Sequence, residues 1–362
     1  MTIQDFGVSY EELEPFFDFA EKVFGTSGQA WTVKGQLVGQ GKGGNPYAPD
    51  RSNPFPLQAQ KNTVSAQLFG KAATEVGYKP YNLPSANTSG PYTNPYGAQM
   101  GPCNFCGFCS GYVCYMYSKA SPNVNILPAL RPLPNFELRA NAHVLRVNLD
   151  STKSKATGVT YIDGQGREIE QPADLVILGA FQLHNVRLML LSGIGKPYDP
   201  ISGEGVVGRN FAYQNMATIK AFFDKDTHTN NFIGAGGNGV ALDDFNADNF
   251  DHGPHGFVGG SPMWVNQAGS RPIAGTSNPP GTPAWGSQWK RATADYYTHQ
   301  VSMDAHGAHQ SYRGNYLDLD PVYRDAYGLP LLRMTFDWQE NDIKMNRFMV
   351  EKMGKVAQAM GP

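Results

Sequence analysis

Leu13, Phe16, Phe17, Ala20 and Val23 or Phe24 recur at the spacing that gathers apolar side chains on one helical face. Ser9, with Glu12 three positions later, has the pattern of a capping box, in which each side chain takes a backbone N–H that the first turn leaves free. A helix through roughly Val23 follows. Pro15 lies inside that span and predicts a kink or a late start, because it has no N–H to donate and its ring meets the preceding turn. From Gly25 to Gly101, Gly, Pro, Asn and Ser break the periodicity, and only the stretch near Ser65–Val76 reads as a short helix.

Beyond residue 130 the pattern changes to alternation. Phe136–Leu138 and His143–Leu149 alternate as strands; Gly158–Ile162, the turn Asp163-Gly-Gln-Gly166 and Arg167–Glu170 read as a hairpin. Ala173-Asp-Leu-Val-Ile-Leu-Gly-Ala180 differs: four successive apolar residues between small ones predict a strand buried on both faces. A helix is expected from about Phe181 to Leu191, closed by Ser192-Gly193. Strand, Gly-Ala, helix is the order in which a doubly wound sheet receives a nucleotide at its carboxyl edge. Short strands between glycine-rich loops fill 214 to about 340, and Glu340–Met360 reads as an amphipathic helix.

Gly234-Ala-Gly-Gly-Asn-Gly239 fits G-x-G-x-x-G letter for letter. A dinucleotide fingerprint follows a buried strand and opens a helix. This one follows His228-Thr-Asn-Asn-Phe-Ile233 and runs into Val240-Ala-Leu-Asp-Asp, so it is read as a loop.

A formal charge of −2, with no basic block, excludes a phosphate-tracking surface, and nucleic acid is not an expected partner. With 41 Gly, 26 Pro and only 17% charged residues among 362, the chain suits a loop-rich enzyme of two domains. No apolar run reaches the twenty residues that cross a bilayer, and the start has no charged n-region followed by an apolar stretch. Membrane contact or export is expected only through partners or sequence outside this chain.

All four cysteines fall within Gly101-Pro-Cys-Asn-Phe-Cys-Gly-Phe-Cys-Ser-Gly-Tyr-Val-Cys114, spaced C-x2-C-x2-C-x4-C, with Gly107 and Gly111 letting the loop curl. Such tight spacing suits an iron–sulfur cluster, whose iron corners each take one thiolate. Cys103, Cys106, Cys109 and Cys114 are therefore the candidate ligands of a [3Fe-4S] or [4Fe-4S] cluster, the former needing three of them. Two disulfides, free thiols and zinc stay open as alternatives. The bacterial ferredoxin run ends C-x3-C-P, and here the fourth cysteine comes one residue later. Among eight histidines, His306 and His309 in Asp304-Ala-His-Gly-Ala-His309 form the pair with metal or acid–base spacing, otherwise a polar loop; His252-Gly-Pro-His255 is a weaker case.

Three segments together resemble the glucose–methanol–choline (GMC) flavoprotein oxidoreductases. Ala173 through Gly195 is similar to the family's second signature, G-A, a helix, then L-x-S-G-I-G. Gly205-Val-Val-Gly-Arg-Asn-Phe211 resembles the V-G-R-N-L stretch that follows it. Asn315-Tyr-Leu-Asp-Leu-Asp-Pro321 with Asp325-Ala-Tyr-Gly-Leu-Pro330 is like the N-x-v-x-L-d-P…D-x-x-G-x-P passage of the substrate domain. The cysteine segment with Ser118-Lys-Ala-Ser-Pro122, and the opening Val8-Ser-Tyr-Glu-Glu-Leu-Glu-Pro-Phe-Phe17, resemble the branch of bacterial gluconate 2-dehydrogenase and fructose dehydrogenase flavoprotein subunits.

That resemblance implies α/β and α+β architecture: a partial FAD-binding doubly wound domain and a second, antiparallel-sheet substrate domain. It divides the chain into 1–97, a helix and long loops packing on both domains; 98–213, the partial FAD domain with the Cys-rich loop; 214–340, the substrate domain; and 341–362, a helix. For FAD it implies Val144, whose backbone would meet the adenine edge, with Gly179 and Ala180 letting the backbone approach ribose and diphosphate. Val144 as a core strand residue and Gly179 as a turn are the plain structural readings, compatible with these roles. The implied reaction oxidises a CH–OH group of a sugar or sugar acid, with electrons leaving through the cluster to a cytochrome c subunit. A small export subunit and the periplasmic side of the inner membrane complete the picture. The family's G-x-G-x-x-G unit and its catalytic His pair, expected beyond Pro362, do not occur here, so the chain is expected to be an internal fragment, inactive alone. A sterol- or choline-type member with structural cysteines, and a flavin-free electron-transfer module, are the competing readings.

Overall fold

The computed structural model describes residue 3 and residues 5–268 and 277–362. The chain forms two compact units that interleave along the sequence: one from Glu137–Tyr213 and His309–Glu340, the other from Asp5–Phe136, Gln214–Ala308 and Asn341–Pro362.

In the first unit, strands Glu168–Pro172, Ala156–Ile162 and His143–Leu149 form an antiparallel sheet in that order. The alternation predicted this: Leu145 and Val147 point inward and are buried, while His143 and Arg146 are exposed. Asp163 builds the hairpin turn, its carboxylate accepting the backbone N–H groups of Gln165 and Arg167 at 2.9 Å each. The helix Gln182–Ser192 lies against the strand His143–Leu149, where Ser192 Oγ accepts the Val147 N–H at 2.9 Å. Gly193 ends the helix in the left-handed conformation, as its sequence position predicts. A second hairpin, Tyr316–Arg324 with Pro330–Thr335, packs on the same helix.

Two strand predictions are corrected. Phe136–Leu138 has no regular structure, and 173–179 is irregular without a ladder partner among the described residues, with Leu175 and Ile177 75% and 81% exposed. A strand buried on both faces needs a neighbour at each edge and cover on each face. Strand Ala156–Ile162 meets the run only at its start, where the Ala173 N–H donates to the Thr157 carbonyl at 3.0 Å.

The second unit is built on a five-stranded sheet in the order Gln214–Phe222, Gln300–Ala308, Met263–Ala268, Gly234–Leu242, Tyr81–Asn82. Strict alternation along Gln300–Ala308 sends Val301, Met303 and Ala305 to the core, where helices Val64–Glu75 and Glu340–Ala359 cover them with Phe69, Met345, Met349 and Met353. Helix Tyr10–Phe24 starts where expected, with both capping-box bonds made: Ser9 N–H to Glu12 at 2.8 Å and Glu12 N–H to Ser9 Oγ at 3.2 Å. Pro15 sits inside this helix without interrupting it. Gly234–Gly239 belongs to a strand with a register shift rather than to a loop, and no helix follows it, so it does not act as a nucleotide fingerprint.

Candidate functional site

The start of strand His143–Leu149 and one side of helix Gln182–Ser192 line a cavity of about 300 Å³. Val144 and Ala180, 36 positions apart in sequence, both line it, with His143, His184, Arg187 and Leu329. Two of the three residues assigned to flavin contact therefore share one cavity. Gly179 immediately precedes Ala180, and a Cβ built on it meets no atom of the described protein within 4 Å. The fold itself does not require glycine there.

A side-chain bridge fixes the turn that carries these residues. Asn185 Oδ1 accepts the Ala180 N–H at 2.9 Å, and Asn185 Nδ2 donates to the Leu178 carbonyl at 3.1 Å. Phe181, between them, has φ 68° and ψ 149°, a backbone region that only glycine occupies freely. On the far side Arg187 anchors the cavity wall: its Nε donates to the Pro330 carbonyl at 2.9 Å and its Nη2 to Asp325 at 2.6 Å. The His143 ring lies 4.9 Å from that of Tyr327. His184, Arg187 and Leu329 are not among the site residues that the sequence singles out. The quoted Asp325-Ala-Tyr-Gly-Leu-Pro330 passage contained Leu329 and the Arg187 partner, and was the signal available.

The four cysteines occupy one irregular loop, with Cys109 buried and the others partly buried. All are free thiols, so neither disulfide alternative is formed. Gly107 sits so close to the Phe232 carbonyl that a Cβ would lie 2.6 Å from its oxygen. Lys119 Nζ donates to the Cys109 and Tyr112 carbonyls at 2.7 and 2.8 Å, tying the loop back on itself. Burial pushes the Cys103 thiol up, against a lowering bond from Phe105; negative charge on Cys109, Cys114 or Cys106 would raise it further. The sulfurs thus share one electrostatic neighbourhood. Among the described residues, however, no three His, Cys, Asp or Glu side chains converge on a point that could hold a metal ion. The donor chemistry fits an iron–sulfur cluster and the present arrangement does not, so no step below is routed through one.

His306 and His309 have different surroundings. His306 packs its ring 4.5 Å from Trp264, whereas His309 is buried, accepts the Tyr213 N–H through Nδ1 at 3.2 Å and lies against Phe336 and Trp338. His252 and His255 belong to an aromatic cluster with Phe250, Phe257 and Phe348.

Residues 5–216 match the family model described as GMC oxidoreductase. The chain belongs to the GMC oxidoreductase family. Among family relatives it is 76% identical over all 362 residues to the gluconate 2-dehydrogenase flavoprotein of Pantoea cypripedii, covering 59% of that protein. Over 99% of its length it is 24% identical to the fructose dehydrogenase large subunit of Gluconobacter japonicus, covering 61% of it. The chain thus spans about three fifths of the length of these curated relatives. A formate oxidase of Aspergillus oryzae superposes with a TM-score of 0.52 at 12% identity, over 96% of this chain and 61% of its own, which shows the α/β GMC fold. No helix among the described residues is long and apolar enough to cross a membrane.

Proposed function

We propose that this chain is the flavin-binding and substrate-domain portion of an FAD-dependent dehydrogenase that oxidises a CH–OH group of a sugar acid, gluconate first. One observation carries the reading: Val144 and Ala180 line a single cavity at the turn that leads into helix Gln182–Ser192 of the family signature. FAD, when bound, supplies the hydride acceptor. The chain's own part is positional. Val144 and Ala180 offer the adenosine end a wall of small or branched side chains, Asn185 holds the turn at Ala180, and Arg187 holds the opposite wall through Asp325. Identity with the Pantoea flavoprotein supports the substrate class, and the designation of the Gluconobacter relative as a large subunit supports assembly with further subunits.

Gly179→Ala and Ala180→Leu test this, because neither is expected to lower the stability of the unliganded protein by more than about 1 kcal/mol. Both should weaken FAD retention on gel filtration by about tenfold or more. Unchanged flavin content in both would overturn the assignment.

The four thiols are proposed as ligands that close on an iron–sulfur cluster only as it is inserted, with a cytochrome c subunit taking the electrons on the periplasmic face. Their donor type and their confinement to one disulfide-free loop support this. That no three such donors converge among the described residues favours a second reading, cysteines that serve structure alone. Iron and acid-labile sulfide in anaerobically purified protein separate the two: stoichiometric amounts support the cluster, and none supports the structural role.

A further inference from the structure

The second unit contains a cavity of about 460 Å³ that the flavin reading does not use. That volume is in the range of small-molecule sites, roughly 300–1,000 Å³. One wall is the face of helix Tyr10–Phe24 bearing Tyr10, Phe17 and Phe24, spaced seven apart and so stacked two turns above one another. Trp31 and Phe55, from the following loops, supply further aromatic surface.

The charged lining is internally neutral. Arg51 and Glu21 form a two-pronged pair, with Nη1 to Oε1 at 3.1 Å, and the Arg51 guanidinium also lies 3.9 Å from the Phe55 ring centre. These side chains keep only 14% and 21% of their surface exposed. The pair holds the wall rigid without giving the cavity a net charge.

The remaining polarity is an excess of amide donors. Asn82 Oδ1 accepts from Asn62 at 2.7 Å, which orients Asn82 Nδ2 as the group left for a ligand; no acceptor for it exists among the described residues. Gln29 Nε2 gives one hydrogen to the Ala30 carbonyl at 3.1 Å and keeps the other. Asn45, also in the lining, has its oxygen taken by the Tyr47 N–H at 3.0 Å and one amide hydrogen by Asp243 at 2.6 Å, which leaves one further donor.

Aromatic walls select a ring with apolar faces, the closed ion pair removes any preference for charge, and free amide N–H groups call for oxygen acceptors on the ring's edge. We propose that this cavity binds an uncharged six-membered ring carrying edge oxygens, with Asn82 and Gln29 taking the oxygens. A pyranose and a quinone head share that chemistry.

Titration calorimetry on the full chain distinguishes them, using methyl β-D-glucopyranoside and, separately, duroquinone, which has no free ring carbon for thiols to attack. Binding of either supports the site and names its source, provided the variants weaken it. Asn82→Asp keeps the bond to Asn62 but exchanges the free donor for an acceptor, and should weaken binding about tenfold. Gln29→Met gives an independent reading should Asn82→Asp fail to fold, with a loss of similar size expected. No heat with either probe into the millimolar range, or binding that both folded variants leave unchanged, overturns the proposal.

Discussion

Arg187 and Asp325 meet at 2.6 Å across 138 residues of chain, joining helix Gln182–Ser192 to the turn between strands Tyr316–Arg324 and Pro330–Thr335. Asp325 also accepts the N–H groups of Tyr327 and Leu329 at 2.9 and 3.0 Å. Burial acts to raise its carboxyl; Arg187 and those backbone donors outweigh it and hold the group below the usual carboxylate range.

The sign of the pH dependence follows. A depressed folded-state pKa contributes stability that is present above the unfolded carboxylate's pKa and is lost as pH falls through the folded value. Asp325→Asn should cost about 2 kcal/mol at neutral pH. The gap to the parent protein should close on acidification below about pH 4. Urea unfolding across that range checks this; a deficit independent of pH would mean that packing, not charge, makes the contact.

Phe181 is strained and 66% exposed, so its backbone cost is poorly offset by burial. Phe181→Gly relieves about 1–3 kcal/mol of strain and loses about 0.5–1 kcal/mol to chain entropy. A net gain of about 1 kcal/mol in denaturant stability is expected. A loss would show that the Phe181 ring, which lines a small apolar hollow with Phe211 and Phe336, matters more than its backbone.

Gly208, in Val-Gly-Arg-Asn, has φ 91° and approaches Leu317 so closely that a Cβ would sit 2.0 Å from its carbonyl oxygen. Leu317 N–H donates to the Gly208 carbonyl at 2.8 Å, so neither backbone yields easily. Gly208→Ala should cost at least about 3 kcal/mol. Gly203→Ala, also at positive φ but in open space, should cost only about 1 kcal/mol. Equal losses would remove the steric explanation.

Because the Cys103 thiol is raised by burial, its thiolate is scarce at neutral pH. Mass-spectrometric alkylation of the cluster-free protein should find Cys103 slower than a denatured control. Its rate should keep rising at pH values above those where the control levels off. Matching pH profiles would show that the loop opens to solvent.

Local signals were legible in the sequence. The Ser9–Glu12 cap, the Asp163 turn and the Gly193 helix end each depend on residues within a few positions, and each formed as expected. The run 173–180 failed because apolar continuity records what a strand would bury and not whether neighbouring strands stand beside it. Within the candidate site, Val144 and Ala180 came from motifs, whereas Arg187 escaped notice because its role exists only through Asp325. Four cysteines in twelve positions advertised a shared centre, yet spacing alone does not bring three sulfurs to one point.

The interleaving of the two units sets a timetable for the ribosome. Residues Glu137–Tyr213 emerge with their sheet and helix, but the hairpin that Arg187 anchors lies in His309–Glu340, 96 positions after Tyr213 (309 − 213). At translation rates of about 5–20 residues per second, the first half of that unit waits roughly 5–20 seconds for the second. Meanwhile the side of helix Gln182–Ser192 on which that hairpin will pack stands bare, and that interval is when a chaperone has most to shield.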